Sequence, residues 1–467
     1  MLRRKAYDLL MEWKNRKDHK CLVVKGQRQV GKTYLIDFFA KMNYDQYVYI
    51  NLSTNREIQT IFEQDLNVDS IINGIRLFFR DIDFDSDSVL LFFDEIQDCP
   101  RARQSLKEFT IDGRYDVIAS GSLLGVTDAH LDGGRVSSKK PALLPMGYEE
   151  TVTMTSMDFE EYLWAVDFPD DILQSIKKNL KNGEPIGKTL LNVLSKHFRD
   201  FMAIGGMPES VAQFVKTGDY VGSSKIIGDI LSICINDINR YNTGINSVKT
   251  RECFESIPSQ LSYGNKKFTY SRIDDGTESR KSAVKYMENL LWIKMAGYGN
   301  FCYALKSPVP VLNGHVIRDS FKVYLSDTGM LINMMGPDAQ KAVVTGDIRF
   351  NAGAVMENVV AECLMKSGIP PLYYRKTNGE DKMELDFVVE KDLKISVLEV
   401  KSGRKKDSPS LGKVGNVFEI HRRIMLEEDD VHLTDDGIEH YPLFAAAFVD
   451  LILRRQIPFN LSTMHQR

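Results

Sequence analysis

The sequence near the amino end fits the phosphate-binding loop pattern G-x-x-x-x-G-K-[ST] without a mismatch. The residues of this phosphate loop are Gly26, Gln27, Arg28, Gln29, Val30, Gly31, Lys32 and Thr33. The apolar run at 21–24 predicts a buried strand before the loop, and 34–40 predicts a helix after it. Glycines let backbone N–H groups approach phosphate oxygens, and a helix N-terminus favours an anion. A glycine-rich turn can match by chance, but this context favours a nucleoside triphosphate site.

Two acids at the end of a second apolar run predict the rest of this site. Residues 89–93 are apolar and lead into Asp94 and Glu95, as in a buried parallel strand that delivers carboxylates to its C-terminal edge. We expect Lys32 to reach the β- and γ-phosphates, and Thr33 and Asp94 to hold Mg²⁺. Glu95 is then placed to take a proton from the attacking water. Two acids at the end of a strand can also simply be solvated. The upstream phosphate loop favours the functional interpretation.

Three more residues are weaker candidates for the same site. Residues 115–122 predict a third strand, and Ser120 or Ser122 at its end can donate to the γ-phosphate or to the attacking water. A plain strand-to-loop turn explains these serines equally well. Arg135 follows two glycines and is a candidate charge-stabilising arginine, supplied in cis or by a neighbouring subunit. A solvated arginine is the alternative.

Composition describes a folded protein of several domains. The chain has 467 residues, 43% of them hydrophobic and 27% charged, and a net charge of −4. Any nucleic-acid surface must therefore be local. The six cysteines are scattered and form no C-x-x-C pair, so neither a zinc site nor a disulfide framework is indicated. No apolar run approaches the ~18 residues that span a bilayer, and the basic start lacks the apolar region of a secretion signal. We expect a cytoplasmic protein without a membrane partner.

An ordered set of eight stretches carries a family resemblance over essentially the whole chain. The stretches are 26–33, 92–97, 118–122, 157–163, 205–209, 325–329, 384–387 and 398–403. Only the phosphate loop is specific by itself, but the ordered set is strong. The chain resembles bacterial and archaeal AAA-like ATPases that carry a C-terminal domain of unknown function, the AAA-14 plus DUF4143 type.

This resemblance implies a multidomain α/β chain that uses ATP and Mg²⁺. It implies an AAA-like P-loop ATPase domain with a parallel sheet at 1–165, a helical lid at 166–245, a winged-helix-like segment at 246–315 and a restriction-endonuclease-like α/β domain at 316–467. In the third segment, Lys281 and Lys285 lie on the outer face of a predicted helix that can enter a DNA major groove. Basic residues on an exposed helix are more often simply solvated.

The last domain contains a second candidate site. Glu399 and Lys401 are two residues apart on a predicted strand, so they point to the same face, and Asp386 on the preceding strand can join them. Two carboxylates can hold Mg²⁺, and a lysine can position the water that it activates. The arrangement resembles the PD-(D/E)xK nuclease core, which implies Glu357 as the helical acid. The same residues would also occur in an inactive remnant of a nuclease fold, or in two strands joined by a salt bridge.

Two functional hypotheses therefore remain, beside the third option that the chain binds ATP without hydrolysing it. In the first, an ATPase cycle controls a nuclease-like C-terminal half that acts on nucleic acid. In the second, the chain is a nucleotide-dependent switch or assembly module that binds a protein partner, and the C-terminal domain is catalytically silent. Homo-oligomers are compatible with either hypothesis.

Overall fold

The computed structural model describes residues 2–63, 65–86, 88–123, 147–273, 279–347, 352–401 and 408–455. The strands are β1 (Cys21–Gly26), β2 (Gln46–Asn51), β3 (Val89–Asp94), β4 (Asp116–Ser122), β5 (Glu149–Met154), β6 (Gly299–Leu305), β7 (Val316–Leu325), β8 (Leu372–Lys376), β9 (Met383–Lys391), β10 (Lys394–Val400), β11 (Arg422–Glu427), β12 (His432–Leu433) and β13 (Ile438–Pro442). The candidate Arg135 lies outside these described residues.

Helices cover both sheets and form the region between them. They are α1 (Lys5–Asn15), α2 (Lys32–Asn43), α3 (Arg56–Gln59), α4 (Val68–Arg76), α5 (Pro100–Asp112), α6 (Phe159–Ala165), α7 (Asp170–Asn182), α8 (Lys188–Ile204), α9 (Pro208–Thr217), α10 (Tyr220–Tyr241), α11 (Ile245–Glu255), α12 (Ile257–Ser262), α13 (Ser279–Met295), α14 (Thr328–Met335), α15 (Pro337–Thr345), α16 (Ala352–Lys366), α17 (Pro409–Val417) and α18 (Val449–Leu453). None of these described helices has both the length and the apolar character needed to cross a lipid bilayer.

The first sheet contains five parallel strands in the order β2-β3-β4-β1-β5. Every residue of β3 is buried, because helices cover both faces of the sheet. Leu90 and Phe92 enter the core shared with α2, whereas Leu91 and Phe93 enter a second core with α4 and α5. The strand thus runs through the middle of the domain and ends at Asp94, beside the phosphate loop. The expected parallel α/β sheet is confirmed.

The second sheet is mixed and contains eight strands in the order β12-β13-β11-β10-β9-β8-β6-β7. Strands β10, β11 and β13 are parallel neighbours, and β9 pairs with β10 in the antiparallel direction. The ribbon predicted near 297–312 contains β6, which pairs with β7 and with β8 inside this sheet. The winged-helix character of 246–315 and the four domain boundaries stay predictions.

The two halves of the chain meet at a close backbone crossing between α8 and α14. Gly205 has φ +73°, and a Cβ there would lie 2.2 Å from Oδ1 of Asp327. A Cβ on Gly329 would lie 2.4 Å from the nitrogen of Gly205. The amide of Gly206 donates to Oδ2 of Asp327 at 2.8 Å, and its carbonyl accepts from Met157 at 2.6 Å. Three of the sequence stretches that carry the family resemblance therefore pack against one another.

Candidate functional site

The phosphate loop is a strained turn between β1 and α2. Gly31 has φ +86° and Gln29 has φ +64°, conformations that let consecutive N–H groups face one concavity. Gly26 lies so close to β5 that a Cβ would meet the carbonyl oxygen of Met154 at 2.2 Å. Helix α2 begins at Lys32, directly after the turn. This geometry fits an anion at the helix N-terminus.

Lys32 is held within the loop itself. Its Nζ donates to the carbonyl oxygens of Gly26 at 3.1 Å and Gln27 at 2.7 Å. Burial lowers the pKa of this ammonium to about 8, although Glu95 and Asp94 act in the opposite direction. A phosphate would supply the negative charge that the buried ammonium lacks. The side chain is therefore placed to exchange its carbonyl partners for phosphate oxygens.

Asp94 is the centre of a hydrogen-bonded group at the end of β3, where it is 4% exposed. Its Oδ2 accepts from the hydroxyls of Thr33 at 3.1 Å and Tyr49 at 3.0 Å. Its Oδ1 accepts from the hydroxyl of Ser120 and from the amide of Glu95 at 3.1 Å. The two predicted Mg²⁺ ligands, Thr33 and Asp94, are thus adjacent. A carboxylate and a hydroxyl side by side are oxygen donors of the kind that Mg²⁺ prefers.

Glu95 follows Asp94 in a left-handed conformation, with φ +54°. A non-glycine residue in this region is uncommon and points to a constrained turn at a site. The side-chain amide of Gln97 donates to Oε2 of Glu95. The carboxylate is half-buried beside the loop and is therefore oriented by a neighbour, as expected of a group that activates water.

Arg4 supports the phosphate loop from the amino-terminal segment and was not predicted. It is 6% exposed, and its Nη1 donates to the carbonyl of Val30 at 2.9 Å. Its Nη2 donates to the carbonyl of Thr155 at 2.7 Å, and its Nε pairs with Glu161 at 3.1 Å. An arginine just before a helix has no local sequence signature. Its partner Glu161 lies in the stretch 157–163, one of those that carry the family resemblance. That stretch was the available sign that this region matters.

Arg28 connects the loop to α10, within the segment predicted to form a lid. Its Nε pairs with Oδ2 of Asp237 in α10 at 2.6 Å, and that same oxygen accepts from the hydroxyl of Tyr298 at 2.9 Å. Burial opposes the charge of Arg28, but Asp237 and then Glu95 favour it and keep its pKa above the ordinary value. The guanidinium therefore lies in the electrostatic field of the nucleotide site.

Gln27 connects the loop to the C-terminal half. Its side-chain amide donates to the hydroxyl of Ser326 at 2.7 Å and to the carbonyl of Gly297. Ser326 is the second residue of the resembling stretch 325–329. Two neighbouring positions of the phosphate loop, 27 and 28, thus contact two different parts of the chain.

In the second sheet, three of the predicted nuclease-like residues lie close to one another. Lys401 pairs with Glu399, with Nζ and Oε1 2.8 Å apart, and Asp386 accepts from the amide of Val400 at 3.0 Å. Burial raises the pKa of Asp386 well above its ordinary value, and the charges of Glu357 and Glu399 act in the same direction. Oε2 of Glu399 is buried and has no hydrogen-bond partner within the described part of the chain.

Glu357, the predicted helical acid, already has positively charged partners. It pairs with Lys266 and with Lys322, whose Nζ lies 3.5 Å from Oε2, and it accepts from Tyr324 at 2.8 Å. Burial acts to raise the pKa of Glu357, but Lys322 and Lys266 outweigh it and lower that pKa. Lys322 is only 1% exposed. Two ammonium groups therefore supply positive charge to this acid.

The three predicted nuclease-like acids do not form a common set of metal ligands. Among the described residues, the set of three that brings one ligand atom each within 4.8 Å of the others is Glu427, His432 and His440. Glu357, Asp386 and Glu399 do not form such a set. Their metal-binding role stays a prediction.

Basic residues of the segment predicted to contact DNA have partners inside the protein. Lys266 pairs with Glu357, and Arg272 stacks on Tyr263 with 3.8 Å between the guanidinium carbon and the ring centroid. Lys285 is exposed, with its Nζ 5.0 Å from the ring centroid of Tyr286. The side chain of Lys281 lies outside the described residues. Contact with DNA stays a prediction.

Comparison with known proteins identifies domain families along the chain. Residues 18–163 match the model of an AAA domain, AAA_14. Residues 195–341 and 352–443 match two domains of unknown function, DUF8612 and DUF4143. A similar solved structure is the Walker-type ATPase PABY2304 of Pyrococcus abyssi, at 12% identity over 72% of this chain and 96% of that chain, with a TM-score of 0.40. No curated protein matches.

Proposed function

We propose that this chain, which joins an AAA-like P-loop ATPase domain to a DUF4143 domain, binds ATP with Mg²⁺, hydrolyses it and passes the state of the nucleotide to its C-terminal half. The observation that carries the proposal is the contact between Thr33 and Asp94 at 3.1 Å, directly below a glycine turn that presents N–H groups. Lys32, bonded only to loop carbonyls among its described partners, supports the same interpretation.

The residues divide the work of hydrolysis by position. Lys32 and the loop amides would bind the β- and γ-phosphates, and Thr33 and Asp94 would hold Mg²⁺, which neutralises charge as the terminal phosphoryl group transfers. Glu95 would orient the attacking water and accept its proton. Ser120 donates to Asp94 and is fully buried, which supports a role in orienting that carboxylate. Hydrogen bonding of Ser120 or Ser122 to the γ-phosphate or to the attacking water stays a prediction. The charge-stabilising role of Arg135 stays a prediction as well.

The loop itself offers the route from nucleotide to C-terminal half. A bound phosphate would add negative charge next to Lys32 and the loop amides, and the loop backbone would adjust to it. Gln27 contacts Ser326, and Arg28 contacts Asp237. Such an adjustment would change the contacts of the loop with α10 and with the residue two positions before α14. This supports the hypothesis of a nucleotide-dependent switch.

A direct titration tests the nucleotide site. Purified full-length protein is titrated with labelled ATP and Mg²⁺, and phosphate release is measured on the same sample. We expect saturable binding, with most affinity lost in Lys32→Ala and retained in Lys25→Ala, one residue before the loop. The proposal fails if the wild type takes up no nucleotide, or if Lys32→Ala binds ATP as the wild type does.

A second candidate function is Mg²⁺-dependent phosphodiester cleavage by the C-terminal domain. The buried, unpartnered Oε2 of Glu399 beside Asp386 favours it, since a cation between them would satisfy both acids. Mg²⁺ held there would activate a water, and Lys401 is placed to position that water. The ammonium groups beside Glu357 argue against it, because they already neutralise the third acid.

Cleavage is tested with DNA and RNA, in Mg²⁺ or Mn²⁺, with and without ATP. If the domain is catalytic, Lys401→Ala abolishes cleavage and leaves ATP hydrolysis intact. No nicking by the wild type under any nucleotide condition would instead favour the silent domain and the switch.

A further inference from the structure

Three potential metal ligands meet at the outer end of the second sheet, away from the residues discussed above. Glu427 is the last residue of β11, His440 lies in β13, and His432 lies in the two-residue edge strand β12. His432 is the register partner of His440, and Met425, two residues before Glu427, is the register partner of His440 on its other side. Since register partners point to the same face, the three side chains share one face of the sheet.

The three side chains differ in how firmly they are held. Glu427 and His440 are buried and in direct contact through Oε1 and Nδ1, whereas His432 is exposed. The imidazole rings of His432 and His440 stack with their centroids 4.2 Å apart and an interplanar angle of 18°. One ligand atom from each residue lies within 4.8 Å of the others. The site therefore combines a buried pair of donors with an exposed third donor stacked on one of them.

The hydrogen bonds determine which nitrogen is free. Nδ1 of His432 lies 2.9 Å from the carbonyl oxygen of Asp430. Because a carbonyl oxygen only accepts, this nitrogen carries the hydrogen, and Nε2 keeps its lone pair. Nδ1 of His440 faces a carboxylate, which also accepts. One hydrogen therefore lies between Nδ1 of His440 and Oε1 of Glu427. A cation can occupy the same position, because both atoms are potential metal ligands.

We propose that Glu427, His432 and His440 bind a divalent transition-metal ion of the zinc type. The ion binds Oε1 of Glu427 and Nδ1 of His440 in place of the hydrogen between them. That hydrogen passes through water to Nε2 of the same ring, which stays neutral, and Nε2 of His432 is the third ligand. Two imidazoles and one carboxylate suit Zn²⁺ and similar ions far better than Mg²⁺. Ligands around tetrahedral zinc are about 3.3 Å apart, so His432 must tilt out of the ring stack. Its exposure makes this movement easy.

The turn that carries His432 is already attached to the lid, which gives the ion a structural role. The carboxylate of Asp430 accepts from the amides of Ile186 at 3.0 Å and Gly187 at 2.8 Å, just before α8, and from Val431 at 2.8 Å. An ion joining β11, β12 and β13 fixes this turn. It therefore strengthens the contact between the second sheet and the start of α8.

The test uses chelator-treated full-length protein in millimolar Mg²⁺, which occupies oxygen-rich sites. Zn²⁺ is titrated by calorimetry, and Co²⁺ is used as an optical probe of the ligand set. The variants are His432→Ala, His440→Ala and Glu427→Gln. The matched control is His315→Ala, in a histidine on the opposite side of the sheet order, next to the edge strand β7.

We expect the wild type and His315→Ala to bind one more Zn²⁺ than His440→Ala, and affinity in His432→Ala to fall by more than the about 10- to 100-fold that loss of an outer-shell partner costs. At a Zn²⁺ concentration that saturates only the wild type, Zn²⁺ should raise the thermal midpoint of the wild type but not of His432→Ala, which alters an exposed residue and keeps the fold. Equal Zn²⁺ stoichiometry and affinity in wild type, His432→Ala and His440→Ala would overturn the proposal. The nucleotide site would be unaffected by that outcome.

Discussion

The guanidinium of Arg28, in the phosphate loop, pairs with the carboxylate of Asp237, in α10, with Nε and Oδ2 2.6 Å apart. The two residues are 209 positions apart in the sequence. Their contact attaches the phosphate loop directly to α10, without an intervening element. The chemistry of the site and the position of α10 are therefore expected to depend on each other.

A double-mutant cycle on Arg28→Ala and Asp237→Asn measures this dependence. Each single variant should lower the rate of ATP hydrolysis about 2- to 30-fold. Arg28→Ala removes the guanidinium that interacts with Glu95, and Asp237→Asn removes the carboxylate that holds this guanidinium in place. The double variant should be no slower than the worse single variant, since one interaction is lost in all three. Asp229→Asn, in an exposed residue of the same helix, serves as the control and should leave the rate unchanged. Strictly additive effects would show that the pair does not act as a unit.

Glu95→Gln should separate binding from hydrolysis. The amide keeps the size of the side chain but cannot accept the proton of the attacking water, so phosphate release should fall about 10²- to 10⁴-fold. Affinity for ATP should change little, because Lys32 and the loop amides are intact. Asp98→Asn, three residues further on, is the matched control. If wild type releases phosphate no faster than Glu95→Gln, the catalytic assignment of Glu95 is wrong.

The affinity for ATP should depend on pH through Lys32. Burial lowers the pKa of its ammonium to about 8, so the free site loses this charge as the pH rises above 8. Bound phosphate favours the charged form and raises the pKa, so binding takes up a proton above pH 8. The dissociation constant should be nearly constant below pH 7 and should increase towards about tenfold per pH unit above pH 8.

Calorimetry of MgATP binding in buffers of different ionisation enthalpy measures this proton uptake. Lys32→Arg is the control, because a guanidinium keeps its charge throughout this range. Proton uptake of the same size in both proteins would mean that another group titrates.

Lys322→Met should destabilise the protein strongly. The lysine is 1% exposed and lies 3.5 Å from Glu357, so its removal leaves a buried carboxylate with one counter-charge fewer. Loss of one partner of a buried ion pair typically costs about 3–5 kcal/mol. The double variant Lys322→Met with Glu357→Gln should lose less than the two single effects added together. Denaturant unfolding measures both, with Lys306→Met, in an exposed lysine after β6, as the control.

The adjacency of the phosphate loop and Asp94 was predictable because both have local signatures. The loop is a contiguous pattern, and Asp94 and Glu95 follow a short run of apolar residues that is typical of a buried strand. The contacts of Arg4 and Asp237 were not predictable, because a single charged residue in or next to a helix gives no sign of a partner more than 100 residues away. The contacts of Lys322 with Glu357 also join distant parts of the chain and leave no local signature.

The backbone crossing at Gly205 and Gly329 has a consequence for how this chain can be rebuilt. Each glycine faces the other's main chain, so neither position tolerates even one added carbon unless the opposite segment retreats. A hybrid made from the amino half of this protein and the carboxyl half of a relative must carry glycine at both places to close correctly. Both glycines lie within 195–341, the stretch that matches one domain model, so we expect exchanges between relatives to keep this stretch whole.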